Sequence, residues 1–153
     1  MNILDFQIVS KSEHLPSQAM FQTWVDAILT DESQDSEIVI RIVDEDEMIQ
    51  FNDQYRGKKS VTNILSFPFD PPEQAESDLL GDLLVCAPVV EIEAQQQNKS
   101  LVHHWAHMII HGVLHLIGYD HIDDLEAEEM EALEIKILKI IKINNPYEEI
   151  SVK

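Results

Sequence analysis

The stretch His111 Gly112 Val113 Leu114 His115 Leu116 Ile117 Gly118 Tyr119 Asp120 His121 constrains this chain more than any other, because its spacing asks for a helix that ends abruptly. Residues four apart on an α-helix stand on one face, about 6 Å apart along the axis, so His111 and His115 can converge on one ion. Gly118 then permits a left-handed turn that most side chains resist, and the reversed chain can carry His121 to the same point. Three imidazoles with a fourth position left to water form the donor set of catalytic rather than structural zinc. A helix in the C-terminal half is therefore expected to carry a zinc site with His111, His115 and His121 as ligands.

Two histidines at helical spacing are commonly no more than a polar face. The third histidine and the glycine alter that reading, because the pattern His, three residues, His, two residues, Gly, two residues, His is the spacing of the metzincin zinc motif. One departure is informative. In zinc peptidases a glutamate follows the first histidine and serves as general base, whereas here the place is Gly112, which has no side chain to accept a proton. Hydrolysis of peptide or amide bonds is disfavoured on that ground.

At 153 residues the chain suits a single domain, 1–153, long enough to bury a core without staples. The one cysteine, Cys86, lies in an apolar run and reads as a small core residue, with no disulfide framework and no sign of an oxidising compartment. No uncharged apolar run is long enough to span a bilayer and the N-terminus lacks a secretory pattern, so a soluble, cytoplasmic protein without membrane contact is expected. A net charge of −19, from 29 acidic and 10 basic residues, argues against unguided binding to polyanions. Any nucleic-acid chemistry would need a local positive patch. Arg56, Lys58 and Lys59 are the one visible cationic cluster, three of the ten basic residues within four positions.

Hydrophobic periodicity predicts strands over Asn2–Val9, Glu37–Val43, Val61–Phe67 and Leu79–Ala87. It predicts helices from Ser17 to Leu29, Glu45 to Tyr55, Pro88 to Asn98 and Ser100 to Ile117, and a last one after Asp124, with Asp44 and Ser100 as N-caps. The fold class expected is α+β: a small mixed sheet of about four strands with about five helices around it. The acids of the last helix, Glu126 to Glu134, read as a solvated face, and its lysines follow them in the order that suits the helix dipole. Trp24 and Trp105 read as core aromatics. His107 shares the face of His111 and suits a supporting or packing role, while His103 and His104 are expected to face solvent or to make local hydrogen bonds. Asp82 and Asp120 are candidates for orienting a ligand histidine through its second ring nitrogen.

With these residues in view, the chain resembles the YbeY family of bacterial metal-dependent endoribonucleases. The histidine stretch is similar to that family's signature, and Tyr55 Arg56 Gly57 Lys58, Thr62 Asn63 Ile64 Leu65 Ser66 Phe67 Pro68 and Gly81 Asp82 match its segments in order. Asn63 stands where the family commonly has Asp, and Leu83 where it has Ile. The resemblance implies a zinc-dependent hydrolase cutting phosphodiester bonds of single-stranded RNA. It also implies work on ribosomal RNA precursors, at the 3′ end of 16S RNA, and in ribosome quality control beside small-subunit assembly proteins. His111, His115 and His121 would be the metal ligands, His111 thereby also serving catalysis, and Arg56 would handle the phosphate. Two rivals stand beside it: a zinc hydrolase of peptide or amide bonds, and a metal-stabilised ribosome assembly factor that does not cut.

Overall fold

The computed structural model describes residues 1–31, 33–71, 77–120 and 123–143. Among these residues four strands and five helices follow in the order β1 (Asn2–Ile8), α1 (Gln18–Ile28), β2 (Ser36–Val43), α2 (Glu45–Arg56), β3 (Ile64–Pro68), β4 (Leu79–Cys86), α3 (Ala87–Gln96), α4 (Leu101–Leu116) and α5 (Asp124–Ile140). The strands form one mixed sheet ordered β1-β2-β4-β3. β1 and β4 both run parallel to β2, whereas β3 pairs antiparallel with β4 and forms an edge. Parallel neighbours need a crossover, which α1 supplies between β1 and β2.

Both central strands are covered on two faces, which explains their nearly unbroken apolar character. On one face Ile38, Ile40, Ile42, Leu83 and Val85 pack with Phe21, Trp24 and Val25 of α1 and with most of α4. On the other, Val43, Leu65, Leu84 and Cys86 form a smaller cluster under Met48 of α2. Trp105 is fully buried, Trp24 nearly so, and Cys86 is a buried free thiol. The expected α+β fold is the one observed.

α4 is the axle of the molecule. It packs against α1, α3, α5, β3 and β4, and residues 104–110 are all buried, as expected of a helix that is apolar all round. Ser100 caps it as expected, its hydroxyl accepting from His103 N. Asp44 stands at the N-cap position of α2 but makes no cap bond there. Its carboxylate instead accepts from Ser10 Oγ at 2.5 Å and Lys11 N at 3.1 Å, tying the chain after β1 to the start of α2.

β3 departs from expectation: it starts at Ile64 rather than Val61 and includes Pro68. Asn63 turns its side chain onto the following backbone, Oδ1 accepting from Ile64 N at 2.7 Å, so the ladder begins only after it. Pro68 is tolerated because an edge strand has one row of backbone groups outside the ladder. Among the described residues no helix is long and apolar enough to cross a membrane.

Candidate active site at the histidine pair

Four histidines of α4, His104, His107, His111 and His115, follow one another at intervals of three, four and four, so their rings form a single stripe. Neighbouring ring centroids lie 6.3, 6.3 and 4.5 Å apart. The stripe begins in the core, where His104 and His107 are buried, and ends at the partly exposed His111 and His115. Those last two rings line an open cleft of about 570 Å³ whose opposite wall is β3 and whose rim carries Arg56, the exposed last residue of α2. Arg56, His111 and His115 are thus brought together; His121 lies outside the described residues. A larger hollow of about 880 Å³ beside β1 and α1 gathers no histidine, cysteine or basic side chain.

The helix end sets the orientation of His115. Gly118 has φ of +106°, a conformation other residues rarely adopt, and it follows the C-cap Ile117. Tyr119 N donates to Leu114 O at 3.0 Å and Gly118 N to His115 O at 3.2 Å, the paired bonds of a Schellman turn. That turn swings the Tyr119 carbonyl back over the helix, where it accepts from His115 Nδ1 at 2.9 Å. His115 and the turn after it form one unit.

His111 is held from another direction. Its Nδ1 lies 2.5 Å from Glu134 Oε1 of α5, and the second oxygen of that carboxylate is 2.9 Å from His107 Nε2. Glu134 is fully buried, contrary to the solvated face expected for its helix. With Met130, Ile137 and Leu138 it forms the buried side of α5, at spacings of four, three and one. The periodicity was visible in the sequence; it places an acid inside an apolar stripe, and that was the available signal. Burial, the largest influence, brings the His107 ring below its ordinary pKa although the Glu134 carboxylate raises it.

A carbonyl oxygen and a carboxylate accept only, so both Nδ1 atoms carry the hydrogen, and in the neutral rings both Nε2 atoms present lone pairs. The two Nε2 atoms are 3.0 Å apart. Lone pairs facing at that distance call for a positive partner, and the separation is near the edge of about 3.3 Å that two nitrogens span around tetrahedral zinc. The donor set fits a metal ion. Among the described residues no group of three or more His, Cys, Asp or Glu is placed to hold one, and the motif's third histidine, His121, lies outside them.

A second carboxylate supports the cleft wall. Asn63 Nδ2 donates to both oxygens of Glu93, at 3.2 and 3.3 Å, and Glu93 Oε1 is 3.1 Å from His104 Nε2. Burial raises the Glu93 carboxyl, but the bonds from His104 and Asn63 outweigh it and leave it below the ordinary value. His104 was expected to face solvent or bond locally; it is buried, and its bond reaches across to Glu93 on α3. Asn63 therefore anchors the start of β3 without any need for a carboxylate of its own. Asp82 is exposed and alternates with Leu83, which faces α4, so it points from the opposite face of the sheet and does not orient a histidine. Burial, then the neighbouring Asp5, raise its carboxyl above the ordinary value.

Gly112 explains the absent glutamate. A Cβ built there would lie 2.6 Å from Ile64 Cδ1 and 2.9 Å from Leu83 Cδ2, because this face of α4 rests on β3 and β4. The place next to the first histidine is helix–sheet contact and offers a carboxylate no space.

Comparison with known proteins agrees with the geometry. The family model described as Endoribonuclease YbeY matches residues 5–142. A curated relative, the Endoribonuclease YbeY of Colwellia psychrerythraea, is 50% identical over 150 residues, covering 95% of this chain and 97% of its own. The solution structure of TM1509 from Thermotoga maritima covers 97% of this chain and 99% of its own at 24% identity with a TM-score of 0.57, a likeness of fold.

Proposed function

The chain belongs to the YbeY endoribonuclease family, and from that premise we propose that it is a zinc-dependent endoribonuclease that cuts single-stranded ribosomal RNA precursors. The observation that carries the reading is the His111–His115 pair, whose Nε2 atoms meet at 3.0 Å in the same cleft as Arg56. His111, His115 and His121 would hold the ion, His121 on the strength of the motif alone. Zinc bound there supplies Lewis acidity, which makes hydroxide available near pH 7 without a carboxylate base.

The chain's own groups do the rest. Arg56 offers planar, forked donors at the rim of the cleft and binds the scissile phosphate, offsetting charge as the transition state forms. Lys58 and Lys59 follow it, both exposed, and draw a polyanion toward one corner of an otherwise acidic surface. Asn52 holds this corner: it is buried on α2 and its Nδ2 donates to Ser60 O at 2.8 Å, pinning the loop that carries the lysines. The setting proposed is the cytoplasm, at the 3′ end of 16S RNA and in ribosome quality control, beside small-subunit assembly proteins. The packed position of Gly112 speaks against peptide hydrolysis.

The test is cleavage of defined single-stranded and duplex RNAs by wild type, His111→Ala and Arg56→Ala, with and without chelator. Loss of cutting in His111→Ala and with chelator is expected, with a fall of about 10²–10³ in kcat for Arg56→Ala. A folded His111→Ala protein that cuts at the wild-type rate would overturn the reading, and one that cuts nothing in any form while supporting ribosome assembly would favour the non-catalytic role. A 2′,3′-cyclic phosphate product would identify the RNA 2′-hydroxyl as nucleophile.

A further inference from the structure

A carboxylate removed from water is costly unless it is paired, and replacing a buried charged pair with apolar side chains is often neutral or stabilising. Glu134 is fully buried on a helix side otherwise made of Met130, Ile137 and Leu138, so leucine would suit the packing there. Its two oxygens are instead divided between two imidazoles of α4, Oε1 to His111 Nδ1 and Oε2 to His107 Nε2. A buried acid kept at such a place and aimed at the ring of a ligand has a use in the site.

We infer that Glu134 is a positioning residue: it holds His111 in the Nδ1–H tautomer and fixes the ring so that Nε2 is presented to the cleft. The inference rests on the zinc reading above. Imidazole has two nitrogens, and a ligand ring free to exchange tautomers presents the wrong one part of the time; an acceptor on Nδ1 removes that freedom and makes Nε2 the better donor. The same carboxylate fixes His107 from its other oxygen. The stripe of rings is thereby locked to α5, and the last helix becomes part of the site although it contributes no group to the cleft. The division of labour with His115 is clear: there the orienting acceptor is the Tyr119 carbonyl, supplied by the helix's own C-terminal turn.

The experiment pairs a readout without metal and one with it. In histidine-labelled, metal-free protein, long-range ¹H–¹⁵N correlation at a pH where the rings are neutral reports the tautomer of each ring. Wild type is expected to show His111 as Nδ1–H, and Glu134→Gln, whose amide can turn either a donor or an acceptor to the ring, a mixture. Titration against a chromogenic zinc chelator is expected to show affinity weakened about 10–100-fold in Glu134→Gln. The exposed control Glu131→Gln should be unchanged. His111 in the Nε2–H form in wild type, or a folded Glu134→Gln with both tautomer and affinity unaltered, would overturn the inference. If Glu134→Gln does not fold, the wild-type tautomer and the shorter-reaching Glu134→Asp decide it by the same criteria. Failure of the zinc reading looks different: His111→Ala would bind zinc as tightly as wild type, whatever the tautomer shows.

Discussion

The two faces of the sheet are built to different standards. The face under α4 is a deep core drawing on α1, α3, α4 and α5, and the Glu134 carboxylate that holds His107 and His111 is embedded in it. The face under α2 has an apolar cluster of five buried residues, Val43, Met48, Leu65, Leu84 and Cys86, and its last helical residue, Arg56, is exposed. β3 is the seam where the two meet. The difference suits the proposed chemistry: ligands for an ion must be held within a fraction of an ångström, whereas a guanidinium that meets a mobile RNA phosphate can be flexible. Rigid packing belongs behind the histidines and looser packing behind the arginine.

The most damaging change should be one that pushes α4 off the sheet. Gly112→Glu would put a charge against Ile64 and Leu83 with no partner, and is expected to cost more than about 4 kcal/mol. Gly112→Ala meets only the flexible ends of those side chains, so it should cost about 1–2 kcal/mol. Urea unfolding of the two variants checks both figures. If Gly112→Glu folds as stably as wild type, α4 is not seated as described.

A matched pair of cavities tests the two faces directly. Leu114→Ala and Met48→Ala each remove a fully buried side chain and should each cost about 2–5 kcal/mol. Their consequences for the site should diverge. Leu114 lies between the two histidines on α4, so its loss is expected to weaken zinc binding as well as stability; Met48→Ala should leave zinc affinity at the wild-type value. Equal effects on affinity would mean that the deep core has no special relation to the histidines.

What could be read from the chain alone follows the same division. Strands and helices were legible because period and caps are local: a β-branched run for β2, an apolar run for β4, and Ser100 as a cap whose side chain accepts a backbone N–H bond. The histidine spacing and the Arg56 cluster were legible because the motif carries them. The inward turn of His104 and Glu134 was not, because polar residues on helices default to water and only a partner on another helix, Glu93 for one and His107 and His111 for the other, reverses that. Strand order was out of reach for the same reason, since pairing is a property of distant segments.

A smaller effect is expected where α2 meets the loop before β3. Asn52→Ala removes the bond to Ser60 O and should cost about 1–2 kcal/mol. Because the loop carries Lys58 and Lys59, RNA cleavage should fall through KM rather than kcat, with zinc affinity unchanged. A fall in kcat alone would show that this corner acts on the chemistry and not on capture.

The smallest predicted effect lies farthest from the cleft and concerns pH. The bonds from Ser10 Oγ, then Lys11 N, hold the Asp44 carboxyl below its ordinary value. A carboxylate whose folded pKa is depressed contributes stability above its unfolded pKa of about 3.9, and loses it as pH falls through the folded value. Asp44→Asn should therefore be less stable than wild type at neutral pH, with the difference shrinking below about pH 4. Asp44 is partly exposed, so screening keeps the difference small and added salt should reduce it further. Unfolding curves of both proteins from pH 7 down to pH 3 would show it. A difference that instead persists undiminished at pH 3 would mean that the tie between the end of β1 and the start of α2 depends on shape and not on charge.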